Sequence, residues 1–188
     1  MEINNRLSDI WGRRHLGSAE QCYWIMYSVA RAFQARRILE IGTHRGFSAV
    51  TFCQAVLDNG MVPKVFTVDS YIQQPEARQP ALDLFEETGF AKYITMVDGD
   101  SGKVLPEVFD EICDVDLAFI DGDHSIDGIF RDIECVENHT KVMLLHDTQN
   151  GGQRYLKGLE EKWRVISFPT RYVEGDGHLV GITVAVKK

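Results

Sequence analysis

Five acids, Glu40, Asp69, Asp100, Asp121 and Asp147, follow one another along the chain, each at or just past the end of a short apolar run. Like charges brought together repel unless a cation, a sugar hydroxyl or a metal offsets them. The set therefore asks for a ligand that is positively charged or rich in hydroxyls. Taken singly, each acid also has a plain structural reading, because Asp favours turns and helix caps. The first acid leads into Glu40-Ile41-Gly42-Thr43-His44-Arg45-Gly46-Phe47-Ser48, a turn whose two glycines let backbone approach a ligand. A dinucleotide fingerprint would read Gly-x-Gly-x-x-Gly with an acid about 20 residues further on. Here the middle glycine is missing and Asp69 lies 27 residues past Gly42, which disfavours NAD and FAD. A helix beginning near Phe47 could still hold a carboxylate at its N-terminus.

Seven apolar runs must position these acids: RILEI from Arg37, KVFTVD from Lys64, YITMV from Tyr93, DLAFID from Asp116, VMLLHD from Val142, RVISF from Arg164 and LVGITVAV from Leu179. The first five are continuously apolar, as strands covered on both faces are. Their start-to-start spacings leave room for a crossover helix after each, as parallel neighbours require. Apolar spacing predicts one helix after Asp123, with Ile126, Ile129, Phe130, Ile133 and Val136 on one face and Ser125 or Asp123 as cap. Others are expected over 18–35, capped by Ser18, and over 77–88. Only PTRYVEGDGH separates the last two runs, too little for a packed helix, so the final strand should return antiparallel. The expectation is a Rossmann-like, doubly wound seven-stranded α/β sheet, mostly parallel with an antiparallel last strand. Such sheets bind ligands outside the carboxyl ends of their strands.

Composition narrows the partners. The 188 residues carry 20 Lys and Arg against 28 Asp and Glu, a net charge of −8, which disfavours nucleic acid. The longest apolar run, Cys22 to Tyr27, is far short of the roughly 20 residues that span a bilayer. Residues 1–17 have charges and a Gly where a signal peptide needs an apolar stretch, so a cytoplasmic location is expected. Cys22, Cys53, Cys113 and Cys135 have no metal or redox spacing and read as reduced and mostly buried. Residues 18–188 read as one domain, preceded by an extension over 1–17 that serves as a lid or a dimer contact.

Glu-x-Gly-x-x-x-Gly after the first strand, an acid ending the second, Gly-Asp-Ser after the third and an acid ending the fourth together resemble a class I methyltransferase dependent on S-adenosylmethionine. LEIGTHRGFS, ITMVDGDSGKVLPEV, LAFIDGDH and LLHDT further resemble small-molecule O-methyltransferases of the catechol and macrolide-sugar types. The resemblance implies that Glu40, Gly42, His44, Gly46 and Ser48 surround the methionine end of the cofactor. It implies that Asp69 accepts the ribose hydroxyls with Ser70 beside them, that Gly99, Asp100 and Ser101 border the adenine, and that Asp121 lies by the sulfonium. A sulfonium, an ammonium and a diol are what the five acids ask for.

Methyl transfer also needs a group to remove the acceptor's proton. In the resembled families a catalytic Lys or His stands at the place of His124, whose ordinary pKa of about 6.5 leaves it partly neutral at cytoplasmic pH. The plain alternative is an exposed loop histidine. Those families also place three metal ligands at Asp121 and around His146-Asp147-Thr148. Here Asp121 and Asp147 supply oxygen for Mg2+ or another divalent ion, while imidazole at His146 suits zinc, iron or manganese better. Acceptor choice is expected in loops: residues 1–17 with Arg6, Trp11, Arg13 and Arg14, then 71–80, 149–155 and 170–178. The acceptor is expected to be a small hydroxylated molecule, without nucleic acid or membrane as partner, and Trp11 and Arg13 are alternatively a homo-oligomer contact. Two rivals stand beside this reading: a non-catalytic S-adenosylmethionine-binding module, and an aspartyl-nucleophile phosphatase built on Asp121-x-Asp123.

Overall fold

The computed structural model describes residues 7, 9–11, 19–147, 153–173 and 179–188. Each apolar run becomes a strand: β1 (Arg37–Ile41), β2 (Lys64–Asp69), β3 (Ile94–Asp98), β4 (Leu117–Ile120), β5 (Val142–His146), β6 (Trp163–Val173) and β7 (Leu179–Lys187). They form one sheet in the order β3-β2-β1-β4-β5-β7-β6. Pairs among β1 to β5 are parallel, and β7 runs antiparallel to both β5 and β6, as the short connection before it requires. Among the described residues α1 (Ala19–Ala32) precedes the sheet, and α2 (Phe47–Asp58), α3 (Arg78–Thr88), α4 (Ser101–Ile112), α5 (Ile126–Val136) and α6 (Gln153–Lys162) join successive strands.

Alternate strand residues feed two cores. Ile38, Val65, Leu117, Phe119 and Leu144 face α1, α2 and α3, while Leu39, Ile41, Phe66, Ala118, Ile120 and Met143 face α4, α5 and α6. Phe119 is fully buried, its ring 5.7 Å from that of Phe52, and truncating it to Ala would cost about 3–5 kcal/mol. β3 is only partly buried because it forms an edge of the sheet.

Ser125 caps α5, its hydroxyl accepting from the Gly128 N–H at 3.1 Å. The expected apolar face of that helix is buried only toward its end. Ile133 and Val136 enter the core, whereas Ile126 and Phe130 are exposed, because the first turn stands beyond the sheet over the loop that follows β4. Trp11 differs from expectation too. It is buried at 1% exposure, donates from Nε1 to Thr51 Oγ1 at 3.3 Å and stacks on Tyr23, so it belongs to the core and not to a free lid or contact surface. Ser18, Arg6, Arg13, Arg14 and Thr148 lie outside the described residues. Cys22 and Cys53 are buried and Cys135 is half-buried, but Cys113 is exposed; all four are free. Among the described residues no helix is long and apolar enough to cross a membrane.

Candidate active site

The strand order reverses at β1, whose neighbours β2 and β4 are reached by crossovers in opposite directions. Loops after β1 and β4 therefore part at their carboxyl ends and leave a crevice. Asp121 follows β4 directly, its N–H donating to the Ile41 carbonyl at 2.8 Å. Gly42 has φ 99°, and a Cβ there would collide with the Asp121 carbonyl, so only glycine lets the two loops touch. Gly46, at φ 80°, stands at the N-cap of α2, and a Cβ would strike the Phe85 ring.

β2 and β3 are tied to the same edge. The Asp69 carboxylate accepts from the His44 N–H and the Tyr71 N–H, both at 2.8 Å, and its carbonyl accepts from the Gly99 N–H at 2.9 Å. His44 is exposed and its Nε2 lies 2.7 Å from Gln74 Oε1; Ser70 is exposed beside it. His44, Tyr71 and Asp147 all have positive φ, and such strained non-glycine backbone persists where surrounding contacts fix it. One acid differs from its expected place: Glu40 lies inside β1 and not at its end. The acid that ends β3 is Asp98, held by Arg78 at 2.9 Å, and Asp100, just past that end, takes the N-cap position of α4. Ser101 is buried and its hydroxyl donates to Asp132 Oδ1 at 2.6 Å.

Glu40 is wholly buried. Thr67 Oγ1 donates to its Oε2 at 2.5 Å, and Oε1 has no aligned partner. Burial pushes its carboxyl up to about 8, against the pull of the Ser48 and Thr67 hydroxyls. Glu40 is thus neutral at pH 7 until a cation reaches it.

Asp121, His124, His146 and Asp147 form one cluster. His124 Nε2 is 3.5 Å from Asp121 Oδ1 and its Nδ1 is 3.2 Å from Asp147 Oδ2. His146 Nδ1 is 2.9 Å from Asp121 Oδ1 and 3.2 Å from Asp147 Oδ1. The expectation that His124 is partly neutral at pH 7 is corrected here: Asp121 and Asp147 together raise it to about 10. Burial works against a charged His146, yet the two carboxylates lift it well above the ordinary range. Burial likewise opposes ionisation of Asp121 and Asp147, but the imidazoles hold both carboxyls below the usual range. Two protonated imidazoles therefore neutralise two carboxylates within the chain. Asp123 is turned away, its Oδ1 accepting from the Ser125 N–H at 2.9 Å.

Among the described residues no group of three or more His, Cys, Asp or Glu side chains has the geometry to hold a metal ion as it stands. By chemical type alone, two carboxylates and an imidazole are donors that a divalent ion accepts. His146 Nδ1 lies 2.9 Å from Asp121 Oδ1 and 3.2 Å from Asp147 Oδ1, so two oxygens and one imidazole nitrogen converge at this point. His146 Nδ1 and Asp147 Oδ1 also lack aligned hydrogen-bond partners. An ion there would have to displace the His146 proton.

Sequence reasoning missed Tyr23, Asp98 and Asp132. Tyr23, on α1, is close enough to Asp121 and His146 for their charges to act on its phenol, which burial chiefly pushes up. Tyr23 falls within the helix expected over 18–35, and nothing in the spacing tied it to a strand end.

A parallel sheet in this order, closed by an antiparallel β7 and bearing glycines and acids at its carboxyl edge, defines the class I methyltransferase architecture. The chain belongs to the methyltransferase-domain family, whose model matches residues 39–148. It is similar to the O-methyltransferase TomG from Streptomyces achromogenes, solved with S-adenosylmethionine, with TM-score 0.73 at 18% identity over 100% of this chain and 91% of that one. The O-methyltransferase hkm8 of Aspergillus hancockii is 34% identical over 104 residues, 55% of this chain and 38% of that enzyme. Protein y4gI of Sinorhizobium fredii is 29% identical over 136 residues, 67% of this chain and 14% of its own length. The chain thus spans well under half of these two curated relatives.

Proposed function

We propose that the chain transfers a methyl group from S-adenosylmethionine to an oxygen of a small hydroxylated molecule. One observation carries the reading: Gly42, Asp69 and Asp121 meet at the switch point of the sheet, with the β1 loop pressed so closely on Asp121 that a side chain at Gly42 would not fit. Bound there, the cofactor supplies a methyl carbon already activated by a sulfonium. Glu40 and the amides of the β1 loop hold its amino-acid end, Asp69 holds the ribose, and the β3 and β4 loops hold the purine. That TomG and hkm8 are O-methyltransferases supports oxygen as the acceptor.

The acceptor lies beside His124, at the mouth of the cluster. As the acceptor oxygen bonds to the methyl carbon and the sulfur leaves as a thioether, the acceptor's proton passes to His124. For that, His124 must first lose its own proton. Positive charge beside Asp121 lowers its pKa, since Asp121 is the main group raising it. The same Asp121, His146 and Asp147 would hold a divalent ion, which would supply positive charge to the acceptor oxygen.

Calorimetry with S-adenosylhomocysteine tests the reading. One site is expected in the wild type, with binding lost in Asp69→Ala, and no binding by the wild type overturns the proposal. The rival, a module that binds the cofactor without turnover, is favoured by the resting protonation of His124. Binding without methyl transfer to any phenol, sugar or other hydroxylated acceptor in a broad panel, with and without divalent metal, would select it.

A further inference from the structure

Asp132 has no role in the site as described, yet it is wholly buried on α5. Its Oδ1 accepts the Ser101 hydroxyl at 2.6 Å and lies 3.7 Å from Arg131 Nε. Its Oδ2 has no hydrogen-bond partner and faces Gly122, where a Cβ would stand 3.3 Å away. One carboxylate thus touches both the first residue of α4, which follows the β3 loop, and the loop that follows β4. Neighbouring packing leaves little play. A Cβ on Gly102 would meet Arg131 Cδ at 3.0 Å, and one on Gly122 would meet Ile41 Cγ2 at 2.9 Å. A buried carboxylate oxygen without a partner is costly, and an apolar side chain would fill the same place without that cost. Ser101 and Arg131 account for Oδ1, but packing alone gives no reason for the unpartnered Oδ2.

We propose that Asp132 is a positioning residue for the adenine end of the cofactor: by fastening Ser101 opposite Gly122 it sets the width of the slot between the β3 and β4 loops. The inference rests on the methyltransferase reading, because that reading places the purine between those loops. Asp132 does not touch the cofactor; it acts through Ser101.

The test is calorimetry with S-adenosylhomocysteine, and competition with 5′-methylthioadenosine, which has purine and ribose but no amino acid. Asp132→Asn keeps an acceptor for Ser101 and should bind S-adenosylhomocysteine within about threefold of wild type. Asp132→Ala should lose about tenfold for both ligands by the same factor, the size expected for one buried hydrogen bond, and Ser101→Ala should reproduce it. Affinity unchanged in folded Asp132→Ala, a loss confined to S-adenosylhomocysteine, or an equal loss in Asp132→Asn would each overturn the proposal. Should Asp132→Ala fail to fold, Asp132→Leu decides, because it fills the same buried place without an acceptor for Ser101. Absence of binding in the wild type would instead overturn the methyltransferase reading.

Discussion

Glu40 should release its proton when the cofactor binds. Its carboxyl is raised to about 8 by burial, so at pH 7 about 0.9 of the chains hold the proton. The distance from an ordinary value near 4.5 corresponds to roughly 5 kcal/mol between the protonated and ionised forms. The cofactor's ammonium, arriving at the unpartnered Oε1, favours the ionised form and reverses that preference. Calorimetric titration with S-adenosylhomocysteine in phosphate and in Tris, whose ionisation enthalpies differ, counts the protons released. S-adenosylhomocysteine carries no sulfonium, so Asp121 and its imidazoles are disturbed least. The wild type should release about 0.9 proton more than Glu40→Gln at pH 7, and only about 0.1 more at pH 9, where Glu40 is already ionised. Without ligand, the native state keeps this proton up to about 8 while the unfolded chain loses it near 4.5, so stability should fall as pH rises through that window. Glu40→Gln should flatten that part of the profile. Equal proton release by wild type and Glu40→Gln at pH 7 would refute the reasoning.

Three further outcomes follow from the same geometry. Gly42→Ala combines a collision with the Asp121 carbonyl and a strained φ of 99°, and should cost about 2 kcal/mol or more in denaturant unfolding while abolishing S-adenosylhomocysteine binding. His124 should stay protonated in an NMR titration from pH 6 to 8, and Asp147→Asn should lower its pKa from about 10. Because its folded value exceeds the unfolded one, its stabilising effect is complete below about 6.5 and is lost as pH rises through about 10. If an ion binds Asp121, His146 and Asp147, it must expel the His146 proton, so affinity for Mn2+ or Zn2+ by calorimetry should weaken as pH falls. Asp147→Ala should then respond to added metal as the chelated wild type does.

The sheet was legible because its first five strands are continuously apolar runs and the ten residues PTRYVEGDGH are too few for another crossover; in the structure their first five, Pro169 to Val173, extend β6. α4 was expected only as the crossover that a parallel β3–β4 connection needs and was not placed on particular residues: Gly102 and Pro106 interrupt a pattern that tertiary packing of Leu105, Val108, Phe109 and Ile112 nevertheless makes helical. At the site, Gly42, Asp69 and Asp121 could be placed from strand ends alone. Asp132 could not, because it lies mid-helix and reaches Ser101 only through packing of α4 against α5.

His124 shows the sharper limit of sequence reading. Its type and spacing give a base of ordinary pKa, whereas its protonation depends on two carboxylates from two strands closing on one ring. That closure also changes how the surplus of acid is accommodated. Like charges at a sheet edge call for a compensating cation, and in the resting chain His124 and His146 already provide it. On the proposed function, a sulfonium or a divalent ion arriving there would therefore compete with protons already held. Affinity for either cation should then rise with pH below the point at which the imidazoles lose their protons. A crevice of bare carboxylates, fully ionised by pH 6, would show no such dependence, and cofactor affinities measured between pH 6 and 9 in wild type and in Glu40→Gln separate the two cases.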